Sequence, residues 1–166
     1  MAAHVATFGE LIDAHQAEIL RYLVRLTGNR DTADDLFQET FLGAFRAFDR
    51  LRRHSNPRAW VYRIATNTYL NYRRGVRRRG ETALHNDVAA WGLPAPSEPT
   101  LVRLALARAM RKLSRRQRAA FFQRHPEGRS YAEIGHALGC SAATARAHVY
   151  QAATCIRREL GTRRTR

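Results

Sequence analysis

The stretch from Leu113 to Leu160, LSRRQRAAFFQRHPEGRSYAEIGHALGCSAATARAHVYQAATCIRREL, constrains this chain more than any other. Within it, SYAEIGHALG has the apolar spacing of a short amphipathic helix and ends at a glycine. The tight turn Gly139-Cys140-Ser141 follows, then a longer helix with a polar, arginine-containing face. This is the pattern of a helix-turn-helix, and its second helix has the size and charge to lie in a DNA major groove. Ser141 is placed to cap that helix, and Ala142, Ala143, Thr144, Arg146 and His148 fall in its first turns, where base contacts are made. Ala145, Val149 and Ile156 face the core. Ser114, Arg115, Arg116 and Arg118 open the preceding helix, a place for phosphate contacts.

Charge argues against a three-helix bundle that merely imitates the motif. The 166 residues hold 29 basic and 14 acidic side chains, a formal net charge of +15, which calls for a polyanionic partner. The distribution says more than the total. Residues 1–50 carry 5 basic and 8 acidic residues, 51–80 carry 9 basic and none acidic, 81–100 none basic and 3 acidic, and 101–166 carry 15 basic and 3 acidic. Two basic blocks separated by an acidic connector suggest two DNA contacts, and the acidic first lobe suggests a separate protein partner.

The apolar spacing predicts helices almost throughout. Phe8, Leu11, Ile12, Ile19, Tyr22, Leu23 and Leu26 mark a first helix that closes near Gly28-Asn29. Asp31 is the expected cap of a second, which carries Leu36, Phe37, Phe41, Ala44, Phe45 and Phe48. Asp49 to Ser55 reads as a polar loop. Asn56-Pro57 starts a third helix that runs to about Arg79. Periodicity then fails, and Pro94, Pro96, Ser97 and Pro99 mark a linker. Helices resume at 101–113, 114–122, 130–138 and 142–160. With no β-alternation, the expected fold is all-α: two small helical domains, 1–79 and 101–166, joined by an irregular linker at 80–100.

Two further constellations bear on function. On the second helix, Asp34, Asp35, Gln38 and Glu39 lie beside the row Phe37-Phe41-Phe45; aromatics among acids suit a protein interface, although a solvated face over a core stripe has the same spacing. On the third, Asn67 and Asn71 are four apart and share a face with Trp60 and Ile64, with Tyr62, Tyr69 and Tyr72 nearby and Arg73, Arg74, Arg77, Arg78 and Arg79 following. Asparagine is a poor interior helix residue. Amides that bond base edges, aromatics that stack on unpaired bases and arginines that hold phosphates give it a reason to be there.

No catalytic motif is found: GxxxxGK, HExxH and GxSxG are all missing, and the tight carboxylate cluster has no histidine beside it. The expectation is a non-enzyme without cofactor or metal. Cys140 and Cys155 have no zinc-like spacing, and about 15 residues of helix at ~1.5 Å per residue keep them from bridging. No apolar run approaches the ~20 residues of a membrane span, and the N-terminus does not read as a signal peptide. A reduced cytoplasm is the expected setting.

Taken in order, DTADDLFQETFLGAF, NPRAWVYRIATNTYLNYRR and LSRRQRAAFF with EGRSYAEIGHALGCSAATARAHV resemble a bacterial sigma-70-family factor, and the short two-domain layout resembles its extracytoplasmic function (ECF, group IV) class. The resemblance covers about residues 8–79 and 101–160. It implies promoter-specific transcription initiation with core RNA polymerase. The surface of Asp34, Asp35, Gln38, Glu39, Phe41 and Phe45 would bind the β′ clamp helices. Arg52, Arg53, His54 and Ser55 would form the loop that captures a flipped −10 base. Asn67 and Asn71, with Arg73 and Arg74, would act in −10 binding and melting, and the helix-turn-helix would read the −35 element. The resemblance also implies contact with the β flap, an anti-sigma partner, and a linker threaded through the polymerase cleft, where a lack of basic residues suits the path of nascent RNA. The chain departs from the family at the start of the reading helix: Ala143-Thr144-Ala145-Arg146-Ala147 stands where a Gly-Thr-Val-Lys-Ser type is common. Arg146 keeps the charge, but the −35 sequence does not transfer. A stand-alone helix-turn-helix regulator with an N-terminal dimerisation or sensing module is the competing reading.

Overall fold

The computed structural model describes residues 7–51, 56–80 and 99–161. Among them there is no strand. The helices are α1 (Phe8–Thr27), α2 (Arg30–Ala47), α3 (Pro57–Arg78), α4 (Pro99–Lys112), α5 (Arg115–Arg124), α6 (Tyr131–Leu138) and α7 (Ala142–Gly161), with a 3-10 turn at Phe48–Arg50. The chain is all-α, as its periodicity predicts.

Most helix starts are written locally. Thr7 and Glu10 form a capping box on α1, Ser114 and Gln117 on α5, and Ser130 and Glu133 on α6. Asn56 Oδ1 accepts from the Ala59 amide at 3.1 Å, with Pro57 in the first turn of α3. The cap of α2 is Asn29, not Asp31: its Oδ1 accepts from the Thr32 amide at 2.8 Å. Gly28, at φ 66°, ends α1 in the left-handed conformation, so a single extended residue makes the corner and Asn29 is the one in place to cap. Asp34 instead pairs with Arg30 at 3.1 Å on the surface.

Three boundaries move. The expected loop opens with the turn Phe48–Arg50, because Phe48 packs edge-on to Phe8 at 5.5 Å and pulls its backbone inward. Helix α4 begins at Pro99, within the expected linker. Helix α5 runs past Phe122 to Arg124, with Gln123 fully buried.

One hydrophobic core runs through both sets of helices, from Leu11, Leu23, Leu26, Leu36, Phe41 and Val61 on α1–α3 to Met110, Ala119, Phe122, Ile134, Leu138 and Val149 on α5–α7 and the end of α4. The two sets also meet: α6 lies on α3 and α5 on α1. Gln123 crosses the junction, its Nε2 donating to Tyr22 Oη at 3.0 Å and to Thr66 Oγ1 at 3.3 Å.

Candidate nucleic-acid interface

Helix α3 presents one polar stripe. Arg63, Asn67, Asn71, Arg74 and Arg78 are all exposed, and their spacing of four, four, three and four residues keeps them on one side of a 3.6-residue helix. No acid lies anywhere on α3. The opposite side is the packed one, with Val61, Tyr62, Ala65 and Tyr69 fully buried. That corrects the aromatic part of the sequence reading. Tyr62 and Tyr69 are core residues and cannot stack on bases, and burial pushes the Tyr62 hydroxyl well above its ordinary pKa. Tyr72 and Arg73 are half-buried. Arg52, Arg53, His54 and Ser55 lie outside the described residues. Arg63 was missed by the sequence reading, although its four-residue step to Asn67 marked it.

Helix α7 presents the second face. Ala142, Ala143, Thr144, Arg146 and Ala147 are exposed, while Ala145 and Val149 are buried beneath them. Ser141 caps the helix, its Oγ accepting from the Thr144 amide at 3.1 Å. Gly139, at φ 66°, makes the turn. Gly135 lets α6 approach the turn: a Cβ there would sit 2.6 Å from the Cys140 carbonyl oxygen. Arg115 is half-buried and Arg116 exposed, but Arg116 Nη1 donates to the Leu138 carbonyl at 2.7 Å. Arg118 donates to the carbonyls of Met110 and Leu26. These two side chains fasten helix ends. His148 is only half-exposed; burial and the charge of Arg116 hold its pKa below the ordinary value. Tyr150, 67% exposed, continues the outward line of Ala143 and Ala147, with Gln151 beside it. The sequence reading missed both, though the i, i+4, i+7 spacing from Ala143 carries the signal.

Helix α2 presents a third, acidic and apolar face. Asp35, Gln38, Glu39, Leu42 and Phe45 are exposed, Phe45 to 63% and Leu42 to 50%. Asp34 is half-buried. Phe41 turns inward, its ring 4.8 Å from that of Phe37, so it shapes the helix from beneath rather than meeting a partner. Leu42 takes its place on the surface, a residue the sequence reading passed over.

Among the described residues no group of three or more His, Cys, Asp or Glu is arranged to hold a metal, and no helix is long and apolar enough to cross a membrane. Cys140 and Cys155 are free and half-buried.

Residues 11–79 match the model of sigma-70 region 2, and residues 103–156 that of sigma-70 region 4. The ECF RNA polymerase sigma factor SigL of Mycobacterium tuberculosis is 33% identical over 98% of this chain and 96% of its own length. The chain belongs to the sigma-70 family, in its ECF class. The RNA polymerase sigma factor YlaC of Bacillus subtilis is 32% identical over 83% of each chain. Two solved structures share the fold at 23% identity: the sigma factor RpoE of Bartonella quintana, in complex with the anti-sigma factor NepR, with a TM-score of 0.73 over 96% of this chain and 100% of that one, and CnrH in complex with the cytosolic domain of CnrY, with a TM-score of 0.68 over 94% and 88%. This sigma factor directs transcription initiation. Its α1–α3 lie almost wholly in the region 2 match and its α5–α7 largely in the region 4 match. The family, rather than a free-standing regulator, accounts for both halves.

Proposed function

We propose that this ECF sigma factor grips its promoters at two points, with residues 1–79 acting on the −10 element and 101–166 on the −35 element. The observation that carries this reading is the acid-free stripe Arg63-Asn67-Asn71-Arg74-Arg78 on α3. Arginines at its ends hold the phosphates, and the two amides between them bond the edges of unstacked bases. Trapping an extruded base offsets part of the cost of opening the duplex, a few kcal/mol. Melting then needs no catalytic group. On α7, Arg146 bonds a guanine edge while Ala142, Ala143 and Ala147 give apolar contact suited to thymine methyls.

The face of Asp35, Gln38, Glu39, Leu42 and Phe45 docks on core RNA polymerase, at the β′ clamp helices; the helix-turn-helix lobe reaches the β flap, and the acidic linker occupies the RNA path. Both RpoE and CnrH were solved with anti-sigma partners, and a protein of that kind holds this factor in the cytoplasm until it is needed.

The test is Asn67→Ala in reconstituted holoenzyme, with polymerase binding and permanganate reactivity of the −10 thymines measured separately. Loss of reactivity with unchanged polymerase binding is expected. Equal loss of both, or of neither, overturns the melting role of α3.

A further inference from the structure

The first hydroxyls of α7 are already engaged. Ser141 and Thr144 bond each other at 2.9 Å, and Ser141 Oγ also accepts from the Thr144 amide. Ala142, Ala143 and Ala147 have no polar atoms to offer. Along the outward face, the exposed side chains left with polar reach are Arg146, Tyr150 and Gln151. Thr144, Ala147 and Gln151 follow at steps of three and four, so Gln151 stands one turn beyond Ala147 on the same edge. The alanines before it let the helix backbone come close to the floor of a major groove, which brings a long side chain at that edge within reach of a base.

Gln151 is also held from a second helix. Gln117 Nε2, on α5, donates to Gln151 Oε1 at 3.0 Å. Gln117 in turn belongs to the cap of α5: its Oε1 accepts from the Ser114 amide at 2.9 Å, while its own amide donates to Ser114 Oγ at 3.2 Å. This sequence of bonds fixes which end of each side-chain amide lies where. A backbone N–H only donates, so the atom of Gln117 that meets Ser114 is its oxygen. Its nitrogen is left for Gln151, and a donating nitrogen needs an oxygen opposite it. The Gln151 oxygen therefore faces α5, and its amine has no partner among the described residues.

That polarity bears on base choice. A glutamine reads adenine with both ends of its amide, taking N6–H on the oxygen while it donates to N7. Here adenine has to compete with Gln117 for the oxygen. Guanine presents acceptors alone, at N7 and O6, and needs only the amine. A hydrogen bond of ordinary net strength favours one orientation of the amide about fivefold.

We propose that Gln117 is a positioning residue that holds Gln151 as a donor, so that α7 selects guanine over adenine at one base pair of the −35 element. The −35 target rests on the reading of α7 given above; the relay from Ser114 through Gln117 to Gln151 does not.

In the experiment, holoenzyme reconstituted from the full chain is bound to promoter duplexes randomised over the −35 region, and the bound duplexes are sequenced. Wild type is expected to enrich guanine over adenine about fivefold at the position where Gln151→Ala removes the preference. Gln117→Glu is the deciding variant. Glutamate serves a capping box as well as glutamine does, so α5 keeps its start, but the second oxygen of glutamate accepts. Gln151 must then donate to it and turn its own oxygen to the groove, and the preference at that one position is expected to pass to adenine. The added negative charge weakens binding to all sequences alike and leaves the base ratios at other positions unmoved. A Gln117 that only supports the fold predicts no change of base in a variant as stable as wild type. Should circular dichroism show Gln117→Glu unfolded, Gln117→Leu removes the donor without adding charge and is expected to bring the guanine-to-adenine ratio close to one. Adenine enriched by wild type at the Gln151 position overturns the proposal, and so does guanine still enriched to the wild-type degree by a folded Gln117 variant. If Gln151→Ala changes no base preference while Arg146→Ala does, the relay is refuted and the −35 reading of α7 stands. If neither changes any, that reading falls and the proposal with it.

Discussion

The guanidinium of Arg116, near the start of α5, donates at 2.7 Å to the backbone carbonyl of Leu138, the last residue of α6. A helix end leaves its last carbonyls without intrahelical partners, and this bond satisfies one of them just where the chain turns into the reading helix. The arginine that sequence alone offers to DNA phosphate is thus also a brace for the motif that does the reading. Arg116→Ala is expected to cost about 1 kcal/mol, or about 3 °C in melting temperature for a chain of this size. Arg116→Lys, which keeps the charge but not the forked geometry, is expected to recover only part of it. Calorimetry checks both, and a lysine variant as stable as wild type would mean that the brace contributes nothing beyond charge.

Gly135 and Gly43 both lie inside helices, yet they predict opposite outcomes. At Gly135 an added Cβ would sit 2.6 Å from the Cys140 carbonyl oxygen and 3.1 Å from Ser141 backbone atoms. Neither neighbour is a flexible side chain, so the turn itself must shift. Gly135→Ala is expected to destabilise by more than about 1 kcal/mol and to abolish binding to −35 duplexes. At Gly43 the nearest contact is Ile64 Cγ2, at an ordinary 3.7 Å. Gly43→Ala is expected to stabilise by roughly 0.5–1 kcal/mol through the lower backbone entropy of its unfolded chain. Denaturant midpoints of the two variants decide the matter.

Arg63 adds a cation at the start of the α3 stripe. Arg63→Ala is expected to weaken holoenzyme binding to all promoters alike and to reduce the slope of log affinity against log salt by about 1, the signature of one lost phosphate contact. Asn67→Ala is expected to leave that slope unchanged, because an amide releases no counterion. A salt titration of promoter binding distinguishes them, and an unchanged slope for Arg63→Ala would remove it from the interface.

His148 sets a pH dependence whose sign follows from its surroundings. Burial, then the charge of Arg116, lowers its pKa in the folded state. The unfolded chain therefore takes up a proton first as pH falls. The contribution is fully present above the unfolded value of about 6.5 and is lost as pH drops from there toward the folded pKa. Region 4 is expected to unfold at lower temperature at pH 5.5 than at pH 7.5, and His148→Gln should flatten that difference. A variant as pH-sensitive as wild type would place the effect elsewhere.

What the sequence reveals and what it hides follow one physical division. Helix positions and most caps were legible because they depend on neighbours three or four residues away: the boxes Ser114–Gln117 and Ser130–Glu133 can be read as letters. Even the early start of α4 had its signal, a proline suited to a first helical position. What stayed hidden depends on distant partners. Tyr62 and Tyr69 sit on the same helix as the DNA-facing stripe, and only packing shows that they face inward. Phe41 and Phe45 are alike in type and four residues apart, yet one is buried and one exposed. Arg129 is hardest of all, since arginine is almost never fully buried, and nothing in its own segment announces the tyrosine from α3 that covers it.

The local caps carry a consequence for building with this fold. Helices α1, α2, α3, α5, α6 and α7 each begin at a side chain that accepts one of their own first amides. None of these six starts is borrowed from the other half, so chimaeras that join residues up to 80 of one factor to residues from 99 onward of another should keep these six helix starts. The mating faces must travel as a set, among them Gln123, Glu127 and Arg129 with the Tyr22, Arg25 and Tyr62 they pack against.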